Sequence, residues 1–436
     1  MRRKRITAVL VVITAILLTA SILFYFLREE DPYRYYTGLG STLSIAPDDS
    51  RFAYSFYEEG HETIYIAKKD GSNPRKIVPS IQEQTSEPRF APDGKGMLFL
   101  AKDREGIQTL EFMDDYQKDS HRQLTKKYLK VFTAAFSPDG KFIYFVATPV
   151  EDGMLPADVT EGTDIFMIDT YGNGLKRLTD NDVIPMSRLA VSPADNNIYY
   201  TGFGEKEGLY IYDFQDDTHN GVNRKKSDDG LYDPAVSSDG KQIAYIKVAQ
   251  TDGAEGIFQY ELFLENIKHG EQKQLTKEGK HASVPTFFNH EGKLAYMLQK
   301  NWPEEPAHYE LKTVMTDGSG SEAISLQMPE AKKTLFHLGL FIENIVSIQL
   351  IASLYAAVFI FWTIYLSELR KKIFLPAVTS SIITLAVAAC AVIANIRDPF
   401  LGPSFTRYAS WLAGTTGCIL LVAFALWWWQ RKRVQD

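Results

Sequence analysis

A short turn motif recurs six times in this chain and constrains its fold more than any other feature. The clearest copies read Ala-Pro-Asp-Gly-Lys at 91–95 and Ser-Pro-Asp-Gly-Lys at 137–141, and weaker copies begin at residues 46, 192, 237 and 289. Proline presets φ and glycine accepts positive φ, so each copy predicts a tight turn between two strands. The copies lie about 45 to 55 residues apart, which indicates β units that cover one another's apolar faces.

Each repeat has the pattern of four short strands. In the third repeat, an apolar run at 142–146 follows the turn, a second run lies at 164–168, and a Gly/Asn turn at 171–174 precedes a last strand at 175–179. That last strand ends in Leu-Thr, as the corresponding strands of two other repeats do. Four strands repeated six times predict an all-β six-bladed propeller with four-stranded blades over residues 41–327.

The Ser-Pro-Asp-Gly-Lys turns and the Leu-Thr strand ends resemble the WD40-like (PD40) repeats of TolB-type β-propellers, over about two thirds of the chain. The resemblance implies a propeller fold. It implies no single function, because that family includes binding modules and the propeller halves of peptidases. The chain departs from the TolB pattern by having three C-terminal apolar runs and no separate soluble N-terminal domain, so the partners of TolB are not carried over.

Four uncharged apolar runs, at 6–27, 345–366, 373–396 and 410–429, are each long enough to cross a hydrocarbon core of about 30 Å. Clusters of Lys and Arg before the first run and after the second and fourth all fall on one side of the membrane. This pattern predicts a multi-pass cell-membrane protein with both termini in the cytoplasm and the propeller outside it. The first run continues without a cleavage site, which favours an anchor over a signal peptide.

These patterns divide the chain into eight segments. They are a cytoplasmic basic tip with the first transmembrane helix (1–27), a linker (28–40), the propeller (41–327), a linker or interfacial segment (328–344), three transmembrane helices (345–366, 373–396 and 410–429) and a cytoplasmic tail (430–436).

The charge of the central segment excludes some functions. Residues 28–336 contain 35 Lys and Arg against 50 Asp and Glu, and so acidic a surface repels a polyphosphate, which argues against nucleic-acid binding. Both cysteines, Cys390 and Cys418, lie in apolar runs. The central segment therefore has no disulfide framework, cysteine-ligated metal or cysteine nucleophile.

The loops between the second and third strands carry acids in every repeat. If the strands run outward from the channel, these loops share one face, whose acids we expect to bind a basic peptide, a polyamine or divalent cations. The same acids are also consistent with simple solubility, or with seating the propeller over Arg397 and Arg407. The candidate ligand-binding residues are Glu58, Glu59, Asp103, Glu105, Glu151, Asp152, Glu205, Glu207, Asp252, Glu255, Glu304 and Glu305.

The sequence contains no recognised catalytic or metal-binding motif. There is no Gly-x-Ser-x-Gly elbow, and the eight histidines are scattered among different segments. We therefore predict no catalytic residue, no metal ligand and no cofactor, with a divalent cation on the acidic face as the one exception left open. Small residues four apart, Ser410/Gly414 and Ala413/Gly417, suit close helix packing either within the chain or in a dimer, so the oligomeric state stays open.

Taken together, these features favour a membrane-anchored extracytoplasmic β-propeller that binds a protein or basic peptide, as a scaffold or sensor of a bacterial cell envelope. Two alternatives remain. One is a propeller hydrolase or lyase with paired carboxylates at the channel mouth. The other is an accessory subunit of a membrane transport or export system.

Overall fold

The computed structural model describes residues 2–27, 31–77, 84–118, 120–150, 163–180, 184–185, 188–203, 208–214, 218–221, 230–249, 258–328, 345–397 and 401–435. The chain divides into two compact units. Asp31–Ala331 forms a β unit, and Met1–Glu30 with Lys332–Asp436 forms a helical unit.

The first half of the β unit folds into three four-stranded antiparallel sheets, each in chain order. The first sheet contains β1 (Gly38–Ile45), β2 (Arg51–Glu58), β3 (His61–Lys68) and β4 (Arg75–Lys76). The second contains β5 (Gln84–Phe90), β6 (Met97–Lys102), β7 (Gln108–Met113) and β8 (Arg122–Gln123). The third contains β9 (Leu129–Phe136), β10 (Phe142–Pro149), β11 (Asp164–Asp169) and β12 (Lys176–Arg177).

The second half contains a five-stranded and an eight-stranded sheet. The five strands are β13 (Ile184–Pro185), β14 (Ala190–Val191), β15 (Ile198–Phe203), β16 (Gly208–Asp213) and β17 (Thr218–Gly221). The eight strands are β18 (Leu231–Val236), β19 (Gln242–Ala249), β20 (Gln259–Asn266), β21 (Gln272–Gln274), β22 (His281–Phe287), β23 (Lys293–Gln299), β24 (Tyr309–Met315) and β25 (Glu322–Ala323). A single parallel pair, Tyr260 with His281, joins β18–β21 to β22–β25. The count of six four-stranded blades therefore stays a prediction.

Buried apolar clusters lie between each group of strands and the next. Ile64 packs with Phe99, Phe112 with Phe145, Tyr144 with Tyr200, Tyr199 with Tyr245, and Leu262 with Tyr296. A sixth cluster joins Phe52 and Tyr54 of β2 to Val284 and Met297 of the last strands. Because β1–β4 form a sheet without any late strand, side-chain packing rather than strand exchange joins the two ends of the described β unit.

The first strands of three repeats carry a bulge at the same position. Glu87 and Asp233 lie five residues before the second residue of the turn motif, and Val284 lies six residues before it; all three have left-handed backbones, with φ of 52°, 50° and 56°. The strand register shifts between 86 and 89, between 232 and 235, and between 283 and 286. At such a bulge, one strand has an extra residue that takes no part in the hydrogen-bonded pairing of the two strands. All three side chains border the same cavity.

The helical unit contains α1 (Arg2–Leu27), α2 (Ile348–Glu368), α3 (Leu375–Arg397) and α4 (Leu401–Gln435). All four helices are long and apolar enough to cross a membrane. The predicted apolar runs lie almost wholly within them, but α4 begins nine residues before the predicted start at 410. Pro403 is compatible with that early start, because the first turn of a helix needs no N–H donor there.

Hydroxyl groups connect three of these helices. Ser380 of α3 lies 2.9 Å from the hydroxyl of Tyr355 of α2 and 2.7 Å from that of Thr416 of α4. In contrast, a Cβ atom added to Gly414 or Gly417 would meet no atom within 4 Å. The described helices of this chain therefore make no close contact at these glycines, and the dimer alternative stays open.

Candidate functional site: a cup at the centre of the sheets

A cavity of about 740 Å³ lies where the first strands come together, and every sheet of the β unit contributes to its wall. Trp302 belongs to the loop between β23 and β24, so the cavity lies toward the face that carries the loops between second and third strands. We call that face the loop face and the cavity the cup. The residues that line the cup are Ser41, Glu87, Phe132, Thr133, Val146, Thr163, Arg188, Tyr232, Asp233, Tyr260, His281, Ser283, Val284, Trp302 and Tyr309.

A buried ion pair lies at the base of the cup. Arg188 Nη2 donates to Glu87 Oε1 at 2.7 Å, and Arg89 Nη2 donates to Glu87 Oε2 at 3.1 Å. Arg89 Nη1 also donates to the carbonyl oxygen of Leu43 on β1, at 3.0 Å. Glu87 lies on β5 of the second sheet and Arg188 between β13 and β14 of the fourth, which are not neighbours in the chain, so this pair crosses the centre of the β unit.

The charges at the base hold one another in their ionised forms. Burial raises the pKa of Glu87, but the guanidinium groups of Arg188 and Arg89 outweigh it, so this pKa falls below its usual value. Burial and the neighbouring Arg188 lower the pKa of Arg89 to about 10, which leaves this side chain charged at neutral pH. Glu87 therefore has no proton to give near neutral pH.

Aromatic side chains form one wall of the cup. The ring of Tyr260 meets the His281 ring edge to face at 4.7 Å and the Trp302 ring at 5.6 Å and 90°. The His281 and Trp302 rings are 4.6 Å apart. Trp302 Nε1 donates to the carbonyl oxygen of Phe258 at 2.9 Å, which fixes the orientation of the indole. Trp302 is the single tryptophan of residues 41–327.

Three polar atoms of cup residues have no hydrogen-bond partner among the described residues. They are Thr133 Oγ1, Ser283 Oγ and His281 Nδ1, and all three atoms are buried. Thr133 is 5% exposed and Ser283 is 7% exposed. Burial lowers the pKa of His281, so its imidazole is neutral at pH 7. A buried polar atom without a partner is costly, and three such atoms belong to residues of the cup wall.

A second cavity, of about 460 Å³, lies at the opposite end of the strands. The turn motifs border it through Pro47, Pro92, Pro138 and Pro193, and we call this end the turn face. Arg188 borders both cavities. The buried ion pair therefore separates the cup from the turn face.

Six of the twelve predicted acidic residues lie in the part of the chain that the structure describes, and none of the six lines the cup. Glu58 accepts hydrogen bonds from Lys76 Nζ at 2.9 Å and from the hydroxyl of Tyr65. Asp103 accepts from Lys127 Nζ at 2.6 Å and from the backbone N–H of Glu105 at 2.9 Å. These bonds stabilise the loops themselves, so Glu58 and Asp103 are partly committed to structure.

Glu305 participates in a contact between the first and last sheets. The hydroxyl of Tyr33 donates to Glu305 Oε2 at 2.5 Å and accepts from the N–H of Ala307 at 3.1 Å. The Tyr33 ring also stacks on Tyr57 of β2 at 4.8 Å. The segment before β1 therefore contacts both β2 and the loop after β23.

The remaining described acids, Glu59, Glu105 and Glu304, are exposed. Their role in ligand binding stays a prediction. The other six candidates lie outside the described residues: Glu151, Asp152, Glu205, Glu207, Asp252 and Glu255. Within the described ranges, no three His, Cys, Asp or Glu side chains come together to hold a metal ion.

Glu62 of β3 is half-buried and lies close to the inner strands. Burial raises its pKa to about 7, and the Glu87 carboxylate contributes in the same direction. A carboxyl group that titrates near neutral pH is suited to general acid or base chemistry. Among the described acids with a shifted pKa, Glu62 therefore best fits the enzyme alternative.

No motif in the sequence points to the cup residues. Glu87, Thr133, Arg188 and Asp233 occupy one register position, five residues before the second residue of the turn motif. That register was the available signal, since charged residues replace small or apolar ones there in three of six repeats. Tyr260 and Trp302 carry no comparable signal.

Comparison with known proteins places the β unit in a fold class. No family model matches the sequence. The crystal structure of TolB from Acinetobacter baumannii has a TM-score of 0.50 and 22% sequence identity over 65% of this chain, which spans 65% of that protein. The β unit therefore has a TolB-like β-propeller fold.

Two enzyme structures are also similar. The tricorn protease has 14% identity over 68% of this chain and 27% of its own, with a TM-score of 0.49. An oligogalacturonate lyase in complex with manganese has 10% sequence identity over 70% of this chain and 81% of its own, with a TM-score of 0.48. Likeness at these levels carries no assignment of activity.

Proposed function

We propose that this chain is a membrane-anchored β-propeller binding module, a scaffold or sensor of a bacterial cell envelope, whose ligand enters the cup from the loop face. The cup carries this proposal: a cavity of about 740 Å³ bordered by every sheet, with a buried ion pair at its base. Cavities of this size suit a small ligand or a peptide segment.

The proposed propeller has six blades. Six buried apolar clusters link consecutive groups of strands, and one of them links the last group to the first. The eight-stranded sheet divides at a single parallel pair into two blades of four strands. A ring of six sheets around a central cavity accounts for both observations.

The propeller is proposed to lie outside the cytoplasm. Four helices can cross a membrane, and the Lys and Arg clusters at 2–5, 370–372 and 431–433 all fall on the cytoplasmic side in that arrangement. Residues 31–331 then connect α1 and α2 on the opposite side. The exposed acids Glu59, Glu105 and Glu304 would attract a basic peptide or a divalent cation to the loop face.

The carboxyl groups of the cup favour binding over hydrolysis. Glu87 is held ionised by Arg188 and Arg89, so Glu87 is a poor general acid. Asp233 Oδ2 accepts from the backbone N–H of Val284 at 3.0 Å, which commits one oxygen to the bulge. The hydrolase or lyase alternative depends on Glu62, whose pKa of about 7 is the observation in its favour.

Site-specific photo-crosslinking in cells tests the proposal. Benzoylphenylalanine replaces Phe132, which lines the cup and is 42% exposed. The matched control is Tyr171, an aromatic residue at the turn face that is 75% exposed. We expect ultraviolet light to give several times more adduct at 132 than at 171 in the full chain. Equal yields, or no adduct at 132, would contradict ligand capture in the cup.

A further inference from the structure

We infer that the cup binds a neutral saccharide. The inference rests on the proposed binding function and specifies its ligand class. The cup combines paired charges, polar atoms without partners and an aromatic wall, and each feature restricts the ligand.

The charged groups at the base of the cup pair with one another. Glu87, Asp233 and Arg188 line the cup, and Arg89, which lines the second cavity, donates to Glu87. Arg188 is already paired with Glu87 at 2.7 Å, so it is a poor partner for a ligand carboxylate or phosphate. Glu87 is likewise paired and is a poor partner for an ammonium group. In contrast to the acidic loops, the cup therefore selects for a ligand without net charge.

The polar atoms without partners can both donate and accept hydrogen bonds. Thr133 Oγ1 and Ser283 Oγ are hydroxyl oxygens, which donate and accept, and His281 Nδ1 is a ring nitrogen of a neutral imidazole that also hydrogen-bonds Gln299. A cation requires acceptors alone and an anion requires donors alone. Ligand hydroxyl groups, which also donate and accept, match all three atoms.

The aromatic wall supplies the complementary apolar contact. Tyr260 and Trp302 stand at 90° to each other along one side of the cup. A pyranose ring has an apolar C–H face and a rim of hydroxyl groups, so it pairs with an aromatic face on one side and with polar atoms around it. The volume of about 740 Å³ leaves room for a short oligosaccharide.

The chemistry of the adduct at residue 132 tests this inference. A saccharide adduct carries vicinal diols, so it acquires a hydrazide label after mild periodate oxidation and resists proteases. Such an adduct supports the inference. A protease-sensitive adduct without periodate label would show that the cup binds a peptide, which overturns the saccharide and leaves the binding function intact. If position 132 gives no more adduct than position 171, both the saccharide inference and the proposed binding function are overturned.

A pair of matched variants tests the role of the free hydroxyls. Thr133→Val and Thr313→Val each remove a buried hydroxyl that has no partner among the described residues, but Thr313 is not part of the cup lining. Removing an unpaired buried polar group leaves the stability of the free protein equal or higher. We expect Thr133→Val to lower the adduct yield about fivefold to tenfold and Thr313→Val to leave it unchanged. Equal yields from the two variants would contradict a ligand contact at Thr133.

Discussion

Asp49 offers a test of how the ring of sheets closes. It is 5% exposed and lies in the turn after β1, with a left-handed φ of 57°. Its two carboxylate oxygens accept from the backbone N–H of Asn289 and of His290, both at 2.7 Å. These residues belong to the last turn motif, so Asp49 connects the first strands to the last without any shared strand.

Asp49→Asn removes the charge and one of the two acceptors. Asparagine tolerates the left-handed backbone, so the change is confined to the hydrogen bonds. One N–H group then faces an amide NH₂, and the other bond loses its charge. Hydrogen bonds to charged groups contribute about 1.5 to 3 kcal/mol each, and an unpaired buried N–H costs about as much. We expect a loss of about 2 to 4 kcal/mol.

Thermal unfolding of the full chain in nanodiscs measures this loss. In a folded unit of this size, each kcal/mol of lost stability lowers the melting temperature by about 2 °C, so we expect a fall of about 4 to 8 °C. The control is Asp48→Asn, because Asp48 is exposed and, among the described residues, its hydrogen bonds stay within its own turn, to Ser50 N at 3.0 Å and Ser50 Oγ at 2.7 Å. Equal shifts for the two variants would refute the role of Asp49 in ring closure.

Two further predictions concern buried charges. The pKa of Glu62 is raised from 4.5 to about 7, so the ionisation of this carboxyl group destabilises the fold as pH rises through this range. The Glu62→Gln variant should therefore be more stable than the parent by about 3 kcal/mol at pH 8 and equally stable near pH 4. A difference independent of pH would contradict burial as the cause. Glu87→Gln leaves Arg188 and Arg89 facing each other, whereas Arg188→Gln leaves Glu87 paired with Arg89 at 3.1 Å. Thermal unfolding should therefore show a larger loss for Glu87→Gln, by up to about 3 to 5 kcal/mol, and the reverse order would count against this reading.

The strands were accessible from the sequence because their signal is local. The turn motif at 137–141 precedes β10, and the same spacing recurs along the chain. The four apolar runs gave the helices for the same reason. Helix α4 was longer than its apolar run because a helix can extend into polar residues, which hydropathy does not record.

The contacts of the candidate site were not accessible in this way. The sequence indicates an acidic loop at Glu305, but not that the carboxylate accepts from Tyr33, 272 residues earlier. Likewise Glu58 is one acid among many until β4 brings Lys76 within 2.9 Å. The ion pair of Glu87 with Arg188 joins residues 101 positions apart. These hydrogen-bond and ion-pair partners depend on how the sheets are arranged around the centre of the β unit. A local sequence pattern holds no information about that arrangement.

The backbone at the bulges gives an independent reason to place the ligand site in the cup. A left-handed φ costs a non-glycine residue about 1 kcal/mol, and glycine would avoid that cost. Val284 occupies one of the three bulge positions, and the other two are nevertheless occupied by Glu87 and Asp233. Their side chains offset the cost through bonds to Arg188 and to Val284 N. Backbone strain of this kind is concentrated at functional sites. Here the two carboxylate residues with a strained backbone, Glu87 and Asp233, border the cup and not the acidic loops.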